Sequence, residues 1–225
     1  MKIGFIGAGN MASAIIGGLI VKQFVQADEI AVYDVSQAQM QKTVDQYSVH
    51  AMATQEELLK ACEFIVLAVK PVYMKAVLEQ AAPYAAGKKF ISIAAGWTVK
   101  MLNRALAAER ATMLRCMPNT PLMVGEGFTA LCEDTTFSKE DLAWAQSLFE
   151  TLGKVAVLPE RLFDAIVAVS GSAPAYVFVF VEALIDAGIK LGLPRDVATK
   201  ACEQTVLGAA KLLMETGEHP AKLKD

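Results

Sequence analysis

Ile3, Phe5 and Ile6, with Gly4 between them, make a short apolar run of strand type that breaks at Gly7-Ala8-Gly9. Helical spacing follows at once: Met11, Ala14, Ile15, Gly18 and Leu19 fall at i, i+3, i+4, i+7 and i+8. Further along, Glu29 to Tyr33 reads as a second strand and Gln37 to Tyr47 as a helix. Val49 to Met52 is strand-like and Gln55 to Cys62 helical. Phe64 to Val69 is almost wholly apolar, as expected of a strand covered on both faces. A helix through Met74, Val77, Leu78 and Ala81 leads to another such run, Phe90 to Ala94. Thr98 to Ala107 is helical in pattern and Thr112 to Cys116 strand-like. Strands alternating with helices of this length predict right-handed crossovers and an α/β, Rossmann-like doubly wound parallel sheet. Phe128 to Cys132 and Val155 to Val157 are expected to extend that sheet around a helix from Lys139 to Leu152.

The pattern changes near Pro159. Beyond it only helical periodicity remains, in Leu162 to Val169, Ala173 to Leu191 and Arg195 to Thr216. Ser172 is placed to cap the middle helix, Pro174 fits its first turn and Gly192 can end it. The chain is thus expected to hold a Rossmann-like α/β domain over residues 1–158 and an all-helical one over residues 159–225. The middle helix is apolar nearly all round at its start, so it requires burial on most sides and implies a partner subunit or further chain.

Composition narrows the function. Apolar residues make up 54% of the 225, so much hydrophobic surface must be covered inside or between subunits. The net charge of −3 has no basic run to suggest nucleic acid. Cys62, Cys116, Cys132 and Cys202 are scattered, without metal-ligand spacing, and read as reduced thiols of a cytoplasmic protein. Ile3 to Val21 lacks the cleavage pattern of a signal peptide. Ala165 to Val181 is interrupted by Ser-Gly-Ser and Pro174, and falls short of the roughly 20 residues of a membrane span.

Strand, glycine turn and helix together are the context that the dinucleotide fingerprint G-x-G-x-x-G/A requires, here Gly7, Gly9 and Ala12. Gly7 permits the tight turn, Gly9 keeps side-chain atoms away from a pyrophosphate, and Ala12 lets helix and strand pack closely. Ligands of open parallel sheets bind at the carboxyl ends of the strands. That rule gathers Gly7 to Met11, Asp34, Ala68 to Pro71, Ala94 to Gly96 and Met117 to Pro121. Asp34 ends the second strand, where a carboxylate accepts both ribose hydroxyls of NAD and repels a 2′-phosphate; it therefore favours NADH over NADPH. His50 and His219 sit at no such strand end, and no paired carboxylates or G-x-S-x-G occur. The chemistry is expected to come from the cofactor, with the protein supplying position and electrostatics.

Several motifs, in order from end to end, resemble the pyrroline-5-carboxylate reductase family: IGFIGAGNMA, LAVKP, ISIAAG, MPNTP, VSGSAPAYVFVFVEAL and TGEHPAKLKD. The resemblance implies NAD(P)H-dependent reduction of 1-pyrroline-5-carboxylate to L-proline, the last step of proline biosynthesis. It also implies a homodimer through the helical domain, in some members a ring of dimers. By the same resemblance Ile6, Gly7, Ala8, Gly9, Asn10 and Met11 hold the pyrophosphate. Asp34 and Gln55 lie near the adenosine ribose, and Ala68, Val69, Lys70, Pro71, Ala94 and Ala95 border the nicotinamide. Asn119 and Thr120 face the same cleft, and Ser172 enters the helical domain near the substrate; no acid or base is assigned, nor any metal. Two departures accompany it. Many members carry Ser, Asn or Thr where Asp34 stands. The family also continues past LKD into an S-P-G-G-T-T loop that holds the substrate carboxylate, so the helical domain is expected to be cut short at Asp225. Two alternatives stay open: a β-hydroxyacid dehydrogenase, which would want a lysine between Ala173 and Asp186, and a non-catalytic NAD(P)-sensing module.

Overall fold

The computed structural model describes residues 1–224. The chain forms two compact units, Met1–Gly171 and a second that begins at Ser172.

The first unit is one eight-stranded sheet in the order β3-β2-β1-β4-β5-β6-β7-β8. The strands are β1 (Ile3–Ile6), β2 (Ile30–Tyr33), β3 (His50–Ala51), β4 (Phe64–Leu67), β5 (Lys89–Ser92), β6 (Thr112–Met117), β7 (Gly127–Cys132) and β8 (Gly153–Leu158). Helices α1 (Asn10–Val21), α2 (Gln37–Tyr47), α3 (Gln55–Ala61), α4 (Met74–Ala81), α5 (Val99–Leu106) and α6 (Lys139–Glu150) link them. Adjacent β1 and β4 are buried along their whole length because helices cover both faces. One face packs Ile15, Ile16 and Leu19 of α1 against Phe5, Val66 and Leu148. The other packs Leu58, Met74, Leu78 and Leu102 against Ile65 and Phe90. Helix starts follow local chemistry: Ser36, Thr54, Thr98 and Ser138 each accept a backbone N–H in the first turn of the helix they precede.

The doubly wound parallel sheet is as expected, with one antiparallel pairing at its far edge. β1 to β6 are parallel throughout, but β7 pairs antiparallel with β6, and β8 runs parallel to β7. The β6–β7 connection holds only a 3-10 turn, Thr120–Val124, too short for a crossover helix, so the chain must reverse.

After β8 the chain is helical, as expected, but not in separate pieces. Short helix α7 (Phe163–Ile166) passes through a π-type turn, Val167–Gly171, into α8 (Ala173–Lys190). Ser172 has helical torsions and its side chain makes no cap bond, which corrects its expected capping role. A chain that arrives already helical has no open helix end to cap. The helical run Glu160–Lys190 is 31 residues long, and by length and composition alone it suffices to cross a membrane. It is thus longer than the apolar stretch marked in the sequence.

In the second unit, α8 and α9 (Arg195–Thr216) pack on each other, and α10 (Pro220–Leu223) follows. Gly192 adopts φ +99° after α8, as its stop signal requires. Tyr176, Phe178, Val179 and Phe180 are all exposed.

Candidate active site

The site of the first unit is built where β1, β4, β5 and β6 end. Gly7 leaves β1 with φ +105°, and a Cβ placed on it would lie 2.5 Å from the Ala68 carbonyl oxygen. Only glycine meets both the torsion and the approach. Gly9, the N-cap of α1, is the reverse case: a Cβ there would meet nothing within 4 Å. The space in front of it is a cavity bordered by Gly9, Asn10, Met11, Ala68 to Pro71, Ala94, Ala95, Asn119 and Thr120.

Asn10, Met11 and Ala12 are the first three residues of α1, and the ladder begins with the Ser13 N–H on the Gly9 carbonyl at 3.0 Å. Three N–H groups at the positive end of the helix therefore lack intrahelical acceptors, with no side chain at Gly9 to fill the space before them. That donor set fits a pyrophosphate.

Asp34 stands at the end of β2 and is half-buried. Its Oδ2 accepts the Ala8 N–H at 2.7 Å and its Oδ1 the Ser36 N–H at 2.8 Å. Beside it an apolar recess runs between β2 and α4, lined by Ile6, Tyr33, Gln55, Val69, Tyr73 and Val77. Gln55 is buried, with Nε2 donating to the Val77 carbonyl at 2.8 Å. Its Oε1 is buried without a partner. An apolar recess beside the Asp34 carboxylate fits the adenosine end of a dinucleotide. Tyr73 and Val77 were not singled out by sequence reasoning. Their only sequence signal is helical spacing after Lys70-Pro71, which does not reveal the recess they line.

The sequence-named groups thus fall into two neighbouring places. Ile6, Gly7, Asp34 and Gln55 surround the recess, whereas Gly9 to Met11, Ala68, Lys70, Pro71, Ala94 and Ala95 surround the cavity; Val69 borders both. Lys70 is exposed at the rim, while Ala94 is buried. Asn119 borders the cavity, but its amide is engaged by the fold: Oδ1 accepts the Phe128 N–H at 2.8 Å, and Nδ2 donates to Ser170 at 3.2–3.3 Å. Thr120 is exposed at the start of the 3-10 turn. Ser172 belongs to the second unit.

Among the described residues that line the cavity, Lys70 is the one titratable side chain. His50 is exposed on β3, and His219 uses Nδ1 to accept the Ala221 N–H at 3.1 Å. Burial pushes the Cys62 and Cys132 thiols up to about 11 and raises Cys116 well above its ordinary value. These thiols are therefore poor nucleophiles near neutral pH. The arrangement binds and orients, and its chemistry is carried by what it binds.

A contact that sequence reasoning missed ties α5 and β6 to the start of the helical run. Glu160 Oε1 accepts both the Val99 N–H at 2.7 Å and Arg115 Nη1 at 3.1 Å. Arg115 is buried and its guanidinium lies 4.5 Å from the centre of the Phe163 ring. The sequence offered no signal for this, because the partners lie 45 and 61 positions apart.

Comparison with known proteins supplies the family. Residues 160–225 match the family described as pyrroline-5-carboxylate reductase dimerisation, and residues 2–96 match NADP oxidoreductase, coenzyme F420-dependent. The chain is 41% identical over its whole length to the pyrroline-5-carboxylate reductase of Escherichia coli K12, covering 83% of that protein. It is 38% identical to the enzyme of that name from Arabidopsis thaliana, again over the whole chain and 81% of the relative. The crystal structure of Plasmodium falciparum pyrroline carboxylate reductase with NADP bound superposes with a TM-score of 0.91 at 32% identity, over all of this chain and 83% of that one. With such identity running through both the glycine turn and the closing helices, the chain belongs to the pyrroline-5-carboxylate reductase family.

Proposed function

We propose that this protein reduces 1-pyrroline-5-carboxylate to L-proline with NAD(P)H. The carrying observation is the open space in front of Gly9, walled by unpaired helix N–H groups, in a chain 41% identical to a reductase of that name. Bound NAD(P)H supplies the hydride for the C=N carbon. The protonated cyclic imine is already electrophilic, so the ring nitrogen ends as an amine without a protein acid. What the chain contributes is placement.

In this reading the α1 N-terminus binds the pyrophosphate, with Ile6 to Met11 as its wall. Asp34 and Gln55 hold the adenosine end. Val69 and Ala94 give an apolar floor that excludes water from the nicotinamide, with Ala68, Lys70, Pro71 and Ala95 at its border. Asn119 acts through the fold, holding β7 against the π-type turn, while Thr120 is the hydroxyl offered to substrate. We divide the work at residues 158 and 159, the cofactor on the first side and subunit pairing on the second, as the match to the dimerisation family from residue 160 supports.

The apolar helical run is read as covered by protein rather than lipid. Its first residues are fixed on the sheet unit, with Glu160 on Arg115 and Phe163 fully buried. A second copy of the chain is the partner, as a homodimer or a ring of dimers, and the unpaired cysteines suit the cytoplasm. The test is an NAD(P)H oxidation assay with pyrroline-5-carboxylate beside a panel of β-keto acids. Turnover confined to the imine is expected. Turnover of a β-keto acid alone, or tight cofactor binding without any turnover, overturns the proposal.

A further inference from the structure

The two loops that flank the nicotinamide side of the cavity are tied together by one side chain. Strands β4 and β5 pair in parallel, Leu67 opposite Ser92, and the Ile93 N–H reaches the Leu67 carbonyl at 3.3 Å. Beyond that bond both strands have ended, and the loops Ala68 to Pro71 and Ile93 to Ala95 line the cavity from two sides. Trp97 spans them. Its Nε1–H donates to the Pro71 carbonyl at 3.1 Å, and its ring packs, half-buried, against the core beneath α4 and α5. The Pro71 carbonyl also accepts the Met74 N–H at the start of α4, so both of its lone pairs are used. The turn before Trp97 is tight, with Gly96 at φ +77°, and Thr98 caps α5 directly after it. The indole therefore stands on a short tether between a glycine turn and a capped helix, and it is placed by both.

We infer that Trp97 is a positioning residue that sets the separation of the two loops and with it the seat of the nicotinamide ring. This rests on the cofactor reading above. A phenylalanine keeps most of the ring packing and loses the donor, so Trp97→Phe isolates the hydrogen bond. The full-length protein is titrated with NADPH, following the fluorescence of the reduced nicotinamide, and is then assayed with pyrroline-5-carboxylate using NADPH and its 4-deuterated form. In Trp97→Phe the emission enhancement on binding is expected to fall by about half, with kcat down roughly three- to tenfold and the deuterium isotope effect on kcat larger. The dissociation constant should stay within about twofold, because the pyrophosphate and adenosine contacts are untouched.

Unchanged emission, kcat and isotope effect, even alongside a lower Tm, overturn the inference and leave Trp97 a packing residue. Should the parent bind NADPH but not turn over the imine, the proposed reaction fails, while the emission comparison still decides the role of Trp97. A parent that does not bind NADPH overturns both.

Discussion

Asp34 Oδ2 accepts the backbone N–H of Ala8 at 2.7 Å, so the carboxylate at the end of β2 braces the glycine turn at the end of β1. In the proposed reading the ribose-binding acid is also the acid that stabilises the turn. Each carboxylate oxygen keeps a second lone pair, so the backbone bonds leave room for ribose hydroxyls. A 2′-phosphate would set its charge against that of Asp34. At about 4 Å and an effective dielectric near 20 such a unit pair costs about 4 kcal/mol, less when screened at this half-buried site. Asp34→Ser is therefore expected to raise NADPH affinity relative to NADH by about tenfold, and to lower Tm through the weakened bond to Ala8. Titration of both cofactors into both proteins measures the ratio. A ratio unmoved by the substitution would assign Asp34 to the brace alone.

Gly7 lies where the β1 turn touches the end of β4. Gly7→Ala meets a positive φ and places Cβ 2.5 Å from the Ala68 carbonyl, so one of the two loops must move. Ala68 borders the cavity, and its displacement should reach the bound nucleotide. The expected outcome is at least about tenfold weaker NADPH binding and a loss of roughly 2 kcal/mol or more in stability. Gly9→Ala is the matched comparison. With nothing within 4 Å of its Cβ it should leave the unliganded Tm almost unchanged while weakening the cofactor. Thermal melts with and without NADPH separate the two, and equal behaviour would show that the open space before Gly9 is not where the pyrophosphate sits.

Glu160 supplies a stability prediction. Arg115 is only 4% exposed, and Glu160 is its carboxylate partner. Glu160→Ala strands a buried guanidinium and removes the acceptor for the Val99 N–H, which should cost roughly 3–5 kcal/mol. In a protein of this size that is about 10 °C in Tm. Arg115→Met combined with Glu160→Met should recover part of the loss, since an apolar pair strands no charge. Calorimetry on the parent and the two variants tests this. A double variant as unstable as Glu160→Ala would mean that the Val99 contact, and not the ion pair, carries the stability.

What the sequence made legible follows from what periodicity encodes. β1, β4 and β5 could be read because both faces are covered, which leaves unbroken apolar runs, and the glycine turn because its torsions need glycine. Strand direction is not encoded in alternation, so the reversal at β7 was set by the length of the loop before it. Asp34 could be placed at a strand end, but its bond to Ala8 crosses 26 positions and has no local signature. The same holds for Trp97 on Pro71 and Glu160 on Val99, which link loops that meet only once the sheet has formed. Ser172 shows the opposite failure. Its local signature is a good N-cap, and a helical approach made the cap unnecessary.

The last prediction concerns α8. Tyr176, Phe178, Val179 and Phe180 occupy successive faces of the helix, and each is at least 56% exposed. Four large side chains in one turn and a half form a patch that a single copy of a soluble chain rarely leaves bare. The segment lies within the match to a dimerisation family, which makes a second copy the expected cover. At micromolar concentration the protein should therefore sediment as a dimer or a multiple of it. Phe178→Glu places a carboxylate where the partner would bury it, and should shift the species toward monomer or lower Tm in a concentration-dependent way. Lys211→Glu, on exposed α9 and paired only across one turn with Glu215, is the control for added charge on the helical unit. Sedimentation velocity over a hundredfold range of concentration, with hydrogen exchange on α8, gives the answer. A parent that is monomeric throughout, with its α8 amides exchanging as a free helix would, removes the second copy as the partner of this face.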